Sequence, residues 1–166
     1  MSGSAFPSKV TQVDLGTDAS PQRFPMGYEV TLPATKGGAG GVDNNAGPQT
    51  WIYVHASVAL AAGEVCSHVA TPTTYSVRLI PINTHAGSVV GVAQHAIALG
   101  SYGFIQKRGK AAVKADAGGV TVNLGLIAGD VAGTADAAAA VTSACFGIAC
   151  ATGASANVEC FIDCRA

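Results

Sequence analysis

Charge is the scarcest ingredient of this 166-residue chain. Only 11% of its residues are Asp, Glu, Lys or Arg, against roughly 25% in an average soluble domain. Aromatics are few as well, at 6%, with a single tryptophan. The hydrophobic fraction of 49% is therefore carried mainly by alanine and valine, beside 21 glycines. These figures exclude a disordered chain, a coiled coil and a long charged helix. A net charge of −1 and a pI near 6.4 speak against a nucleic-acid partner, whose binding domains are usually basic. With so few charges to keep a monomer's surface wet, part of the exterior is expected to be buried against other chains.

Long apolar runs are missing too. The uncharged stretch from Leu79 to Gln106 is broken by Pro81, Asn83, His85, Gln94 and His95, whereas a membrane span needs about 20 largely apolar residues. Met1 to Ala5 carries no basic region and no apolar segment follows it, so neither an export signal nor a membrane partner is expected. The five cysteines (Cys66, Cys145, Cys150, Cys160 and Cys164) form no CxxC pair. An odd count without an export signal reads as reduced thiols acting as small buried hydrophobes; a bridge to another element or subunit stays open.

What is present divides at about residue 49. Residues 1–49 hold Pro7, Pro21, Pro25, Pro33 and Pro48, the glycine-rich run Lys36–Gly41 and the turn-forming Asp43-Asn44-Asn45. Such a stretch buries too little apolar surface to offset its own chain entropy. It reads either as an extended arm that orders on a neighbour or as an edge strand with a glycine loop. Phe6, Phe24 and Tyr28 are its apolar anchors and hence candidate partner contacts.

Residues 50–166 read as a β-rich domain. Trp51, Tyr53, His55 and Ser57 alternate with Ile52, Val54, Ala56 and Val58, a period of two with β-branched and aromatic residues. Further strands are expected over 74–80, 88–98, 102–107, 111–114, 120–124, 141–149 and 157–162, with glycines such as Gly87, Gly100, Gly109, Gly129 and Gly153 at the turns. Asp136 to Ala140 alone hints at a helical turn. Short strands with glycine turns indicate an all-β fold, a small β-barrel or sandwich built from hairpins, with an extended N-terminal arm. Val90-Gly91-Val92-Ala93 is echoed by Phe146-Gly147-Ile148-Ala149, and the following Phe104-Ile105 by Phe161-Ile162. Each unit reads as a hairpin, and two such hairpins would close a barrel pseudo-symmetrically.

No catalytic pattern emerges. Lys36–Gly41 lacks the strand-loop-helix setting that aims amides at a phosphate. Residues 103–110 only imitate a Walker motif, with Ala111 where Ser or Thr would bind magnesium. His55, His68, His85 and His95 are scattered without metal-ligand spacing, the carboxylates form no DxD pair, and no GxSxG is present. Neither an enzyme nor a cofactor is expected. One cluster remains: Lys107, Arg108, Lys110 and Lys114 gather four of the nine basic residues. They form either a solvated hairpin edge that discourages aggregation or a docking patch for an acidic partner surface. No aromatic stacking platform accompanies them, which places nucleic acid last.

The rhythm Val90-Gly91-Val92-Ala93 followed by Ala98-Leu99-Gly100-Ser101-Tyr102-Gly103-Phe104-Ile105-Gln106-Lys107-Arg108-Gly109, and then Gly147-Ile148-Ala149 with Val158–Ile162, resembles small capsid decoration (cement) proteins of tailed bacteriophages. The resemblance covers residues 85–166. It implies a virion structural protein that binds the outer surface of an icosahedral head after assembly in the host cytoplasm. The partner would be the major capsid protein, and the state a homo-oligomer, commonly a trimer. Binding the assembled shell but not its free subunits would add to shell stability, and bridging of several capsomers would multiply the effect. The alternative is a trimeric phage tail, fibre or head-fibre base protein. A small major coat protein and a cellular enzyme follow behind.

Overall fold

Alternating apolar residues become strands here wherever a partner strand can take their backbone groups, because an unpaired buried amide or carbonyl is costly. The computed structural model describes residue 10 and residues 12–32, 47–69, 75–82, 88–139 and 145–165. One short helix, α1 (Gln12–Leu15), precedes β1 (Glu29–Leu32), β2 (Gln49–Ala56), β3 (Val65–His68), β4 (Ser76–Leu79), β5 (Val89–Val92) and β6 (Tyr102–Lys114). The chain continues with β7 (Gly125–Ala128), β8 (Ala135–Ala137), β9 (Gly147–Ala149) and β10 (Asn157–Asp163). The fold is all-β. The strands run β1-β2-β4-β3-β5-β6-β10-β9-β7-β8, and β2 also pairs with β6. That extra pairing closes β2-β4-β3-β5-β6 into a five-stranded barrel.

The remaining strands repeat the plan. β6, β10, β9, β7 and β8 follow one another by hydrogen bonding, and a parallel bridge between Ala115 and Ala135 completes a second ring. β6 belongs to both rings: its first half pairs with β2 and its second half, from Arg108 to Lys114, with β10. The two rings share their pairing order and several individual bonds. Gly63 N–H donates to Ala93 O and Ala93 N–H to Glu64 O; Asn123 N–H donates to Ala149 O and Ala149 N–H to Leu124 O. The reciprocal bridge Leu60–Ile97 corresponds to Val120–Gly153. Gly63 at φ 88° and Asn123 at φ 67° occupy the same left-handed turn position.

The echo between 90–93 and 146–149 is therefore a true structural repeat. Its second element is offset by two residues, because Gln106 and Phe161, not Phe104 and Phe161, take equivalent places opposite Val92 and Ile148. A slip of two preserves the strand face, which is why the eye accepts it. Gly91 and Gly147 show why glycine recurs. A Cβ on Gly91 would lie 2.7 Å from the Gln106 carbonyl oxygen, and one on Gly147 would strike that of Phe161.

Several expectations change. The turn expected at Gly109 is absent: 102–107 and 111–114 are one strand of 13 residues, with Gly109 inside it at φ 102°. The register against β2 shifts between Thr50 and Trp51, so the strand bulges and bends there without ending. Residues 136–137, expected in a helical turn, lie in strand β8 because Ile127 and Leu126 of β7 supply their partners. Residues 121–124 form a turn, and β7 begins only after it. α1 and β3 were not anticipated.

Among the described residues, three buried clusters form the core. One fills the first barrel with Ile52, Val54, Val77, Val90 and Ile105 among others. A second fills the other ring and reaches Val65, Ile80, Val89 and Val92 on the outer side of the first. The third joins Leu15, Phe24, Trp51, Tyr53 and Phe104. Gly147→Ala is expected to lower stability by about 1–3 kcal/mol through overpacking. Gly16→Ala, with nothing within 4 Å of its added Cβ, should leave the denaturant midpoint nearly unchanged. Equal midpoints for the two variants would contradict the close backbone approach.

Candidate functional site

The apolar anchors of the N-terminal stretch do not share one fate. Phe6 lies outside the described residues. Phe24 is buried in this chain's own third cluster, its ring centroid 5.2 Å from Tyr53 and 5.3 Å from Phe104. It is thus not displayed to a partner. The reason is local: the outer faces of β2 and β6 carry Trp51, Tyr53, Tyr102 and Phe104, and an aromatic surface of that kind is covered by the nearest apolar segment. Asp14 and Arg23 clamp the segment with an ion pair of 2.7 Å, and the Arg23 N–H donates to the Tyr53 hydroxyl at 3.1 Å. β1 adds itself to β2, and Ala19 bridges to Tyr102. Tyr28 remains 39% exposed, its ring stacked on Phe24 at 6.0 Å. Of the three anchors it is the one among the described residues that still faces solvent.

The basic cluster is neither a hairpin edge nor a free patch. β6 is the central strand, flanked on both sides. Each cation meets a carboxylate of this chain: Lys107 with Glu29, Arg108 with Asp163 and Lys110 with Glu159, all at 2.8 Å, and Lys114 with Glu64 at 3.1 Å. The hydrogen bond to Glu159 raises the Lys110 pKa above its ordinary value. Exposed pairs of this kind contribute little to stability, because water and salt screen them. Their larger effect is to cancel charge where an acidic partner would otherwise be attracted. Glu64 does more than pair, because its other oxygen accepts the Ala61 N–H at 2.8 Å and so holds the turn into β3.

The buried Asp116 carboxylate holds two turns. Both Asp116 oxygens accept backbone amides, from Gly119 at 2.9 Å and Asp130 at 3.0 Å. Among the described residues no three His, Cys, Asp or Glu side chains are grouped to hold a metal ion, and no helix is long and apolar enough to cross a membrane. His55 sits on its strand beside Ser76, 3.2 Å from Nδ1 to the hydroxyl. Cys66, Cys150, Cys160 and Cys164 are free thiols, and all but Cys150 are buried.

Sequence reasoning passed over one surface feature. On β10, Val158, Cys160 and Ile162 turn inward, whereas Asn157, Glu159, Phe161 and Asp163 turn out or lie partly exposed. Phe161 is thus the one aromatic in a polar register, 50% exposed, and it stands directly across from Ile148, 41% exposed. The alternation of that strand carried the signal.

No protein-family model matches this chain, and no curated protein matches it in sequence. Among solved structures the fold is similar to one described as the head fiber gp8.5 N base of bacteriophage phi29. The TM-score is 0.51 at 15% identity, and the match covers 70% of this chain and 94% of that one. At that identity the likeness is one of fold.

Phe24→Ala should cost about 3–5 kcal/mol, read as a lower denaturant midpoint; an unchanged midpoint would mean that the ring is not part of the core. Burial pushes the Cys66 and Cys160 thiols up to about 12 and raises Cys164 as well. An aromatic disulfide reagent at pH 8 should therefore leave these three unlabelled in the folded protein and label them in urea. Because their folded pKa values lie above the ordinary value of 9.0, stability should be intact below pH 9 and fall as pH rises from 9 toward 12.

Proposed function

We propose that this protein is a non-enzymatic structural component of a bacteriophage virion, mounted on the outer surface of the head and contacting the major capsid protein. The observation that carries the reading is the fold likeness to the phi29 head fibre base, which takes in nearly all of that chain. Two independent features support it. The chain is poor in charge, and the basic cluster is neutralised within it, as suits a protein held by extended contacts and not by electrostatic capture.

Within that class, the fold likeness favours the base of a head fibre, a module that fixes a projecting element to the shell. The cement role is the second reading, favoured by the resemblance of residues 85–166 to decoration proteins. Both roles call for a homo-oligomer, a trimer in the commonest arrangement, and for no cofactor.

Co-sedimentation of the purified protein with empty heads of a candidate phage tests the class. Saturable pelleting at a fixed ratio is the expected result, and a protein that stays in the supernatant at every concentration sinks the reading. Calorimetry of the loaded heads separates the two roles. A cement protein raises the shell's melting temperature in proportion to occupancy, whereas a fibre base binds and leaves it nearly unchanged.

A further inference from the structure

Within one molecule, the first barrel lays part of its outer surface on the second ring. Val65, Ile80, Val89 and Val92 share one buried cluster with the second ring's interior. The turn over 130–134 reaches back to seal the contact: the Val65 N–H donates to Gly133 O at 2.9 Å, and the Gly133 N–H to Ile80 O at 3.0 Å. The centre of this docked face is a row of three cross-strand neighbours, Val65, Val92 and Gln106. Val65 and Val92 are fully buried and Gln106 is 1% exposed.

The repeat places an equivalent row on the second ring: Gly125, Ile148 and Phe161, joined by the same pairings. Here no described residue covers the two side chains, and Ile148 and Phe161 stand 41% and 50% exposed. The face that receives a neighbouring ring in the first barrel is thus open in the second, and more apolar than its counterpart, with phenylalanine where Gln106 stands. Its surroundings carry no net charge to recruit a strongly charged partner. Lys110, directly opposite Phe161 on β6, is paired with Glu159, and Arg108 with Asp163. A neutral apolar face continuing the geometry of an internal barrel-on-barrel contact fits a surface like the chain's own.

We propose that the face centred on Ile148 and Phe161 receives a ring of a second copy of this chain, so that packing within one molecule is repeated between molecules. It deepens the reading above, which calls for self-association, by naming the surface that carries it.

Light scattering and sedimentation equilibrium on the full chain test it. The wild type is expected as a closed oligomer. Phe161→Glu is expected to weaken association at least tenfold and to run as a monomer, with far-UV circular dichroism unchanged. Ile148→Ser supplies the same reading should the glutamate variant fail to fold. Leu99→Glu, at a residue 68% exposed in a turn of the first barrel, should keep the wild-type mass. A monomeric wild type, a Phe161→Glu oligomer of wild-type mass, or equal dissociation by Leu99→Glu would each overturn the proposal. The head reading is tested apart: an oligomer that ignores phage heads removes that reading and leaves this one. A monomer that pellets with heads only when Phe161 is intact gives the face to a shell protein and overturns this one.

Discussion

One strand serves two rings, and the rest of the molecule is arranged around that constraint. A run of 13 residues extends roughly 40 Å at about 3.3 Å per residue, too long for one small barrel and long enough to line two. Where it passes from one ring to the other, β6 must bend. Gly109 at φ 102° allows the bend, and a Cβ there would lie 2.7 Å from the Pro48 carbonyl oxygen. Two amide side chains knit the crossing: Gln106 donates to the Arg108 and Lys110 carbonyls and Gln49 to that of Lys110. Buried carbonyls freed by a bulge need such partners. Sharing the strand also leaves it no free edge in either ring, which removes the commonest template for aggregation.

The two rings have the same plan with different fillings. Where the first barrel turns Ile52, Cys66, Val90 and Ile105 inward, the second turns Ala111, Leu126, Phe146 and Cys160. A loss of volume at β6 and β10 is offset by a gain at β7 and β9, the kind of compensated exchange that cores tolerate. This is why the repeat is faint in the amino-acid sequence and plain in the hydrogen bonds. Backbone geometry recurs at Gly91 and Gly147, where only the absence of a Cβ satisfies the approach to a carbonyl. Side-chain identity has drifted everywhere that volume alone matters.

Electrostatics play a quiet part. The few cations on β6 are consumed by carboxylates from β1, β10 and the turn before β3. Each such pair is weak by itself, yet together they tie the long strand to three other elements and leave the outer sheet neutral. A protein built to associate through broad, low-charge faces gains from this, since like-charge repulsion between copies is kept small.

Much of the fold was legible before any coordinates. The period of two over 51–58, the short strand expected over 157–162 and the glycine turns identify an all-β, hairpin-built chain, because alternation is local and depends only on the backbone repeat. The equivalence of 90–93 with 146–149 was visible for the same reason. The sequence could not decide partners. That Gly109 bends a strand where a turn was expected, that Phe24 belongs to this chain's own core, that four cations are already paired, and that Phe104 on the outer face of the first barrel is covered while Phe161 stays exposed all follow from contacts between residues distant along the chain. Spacing along the sequence determined which residues share a face; only the closing of the two rings decided which faces are covered and which remain open.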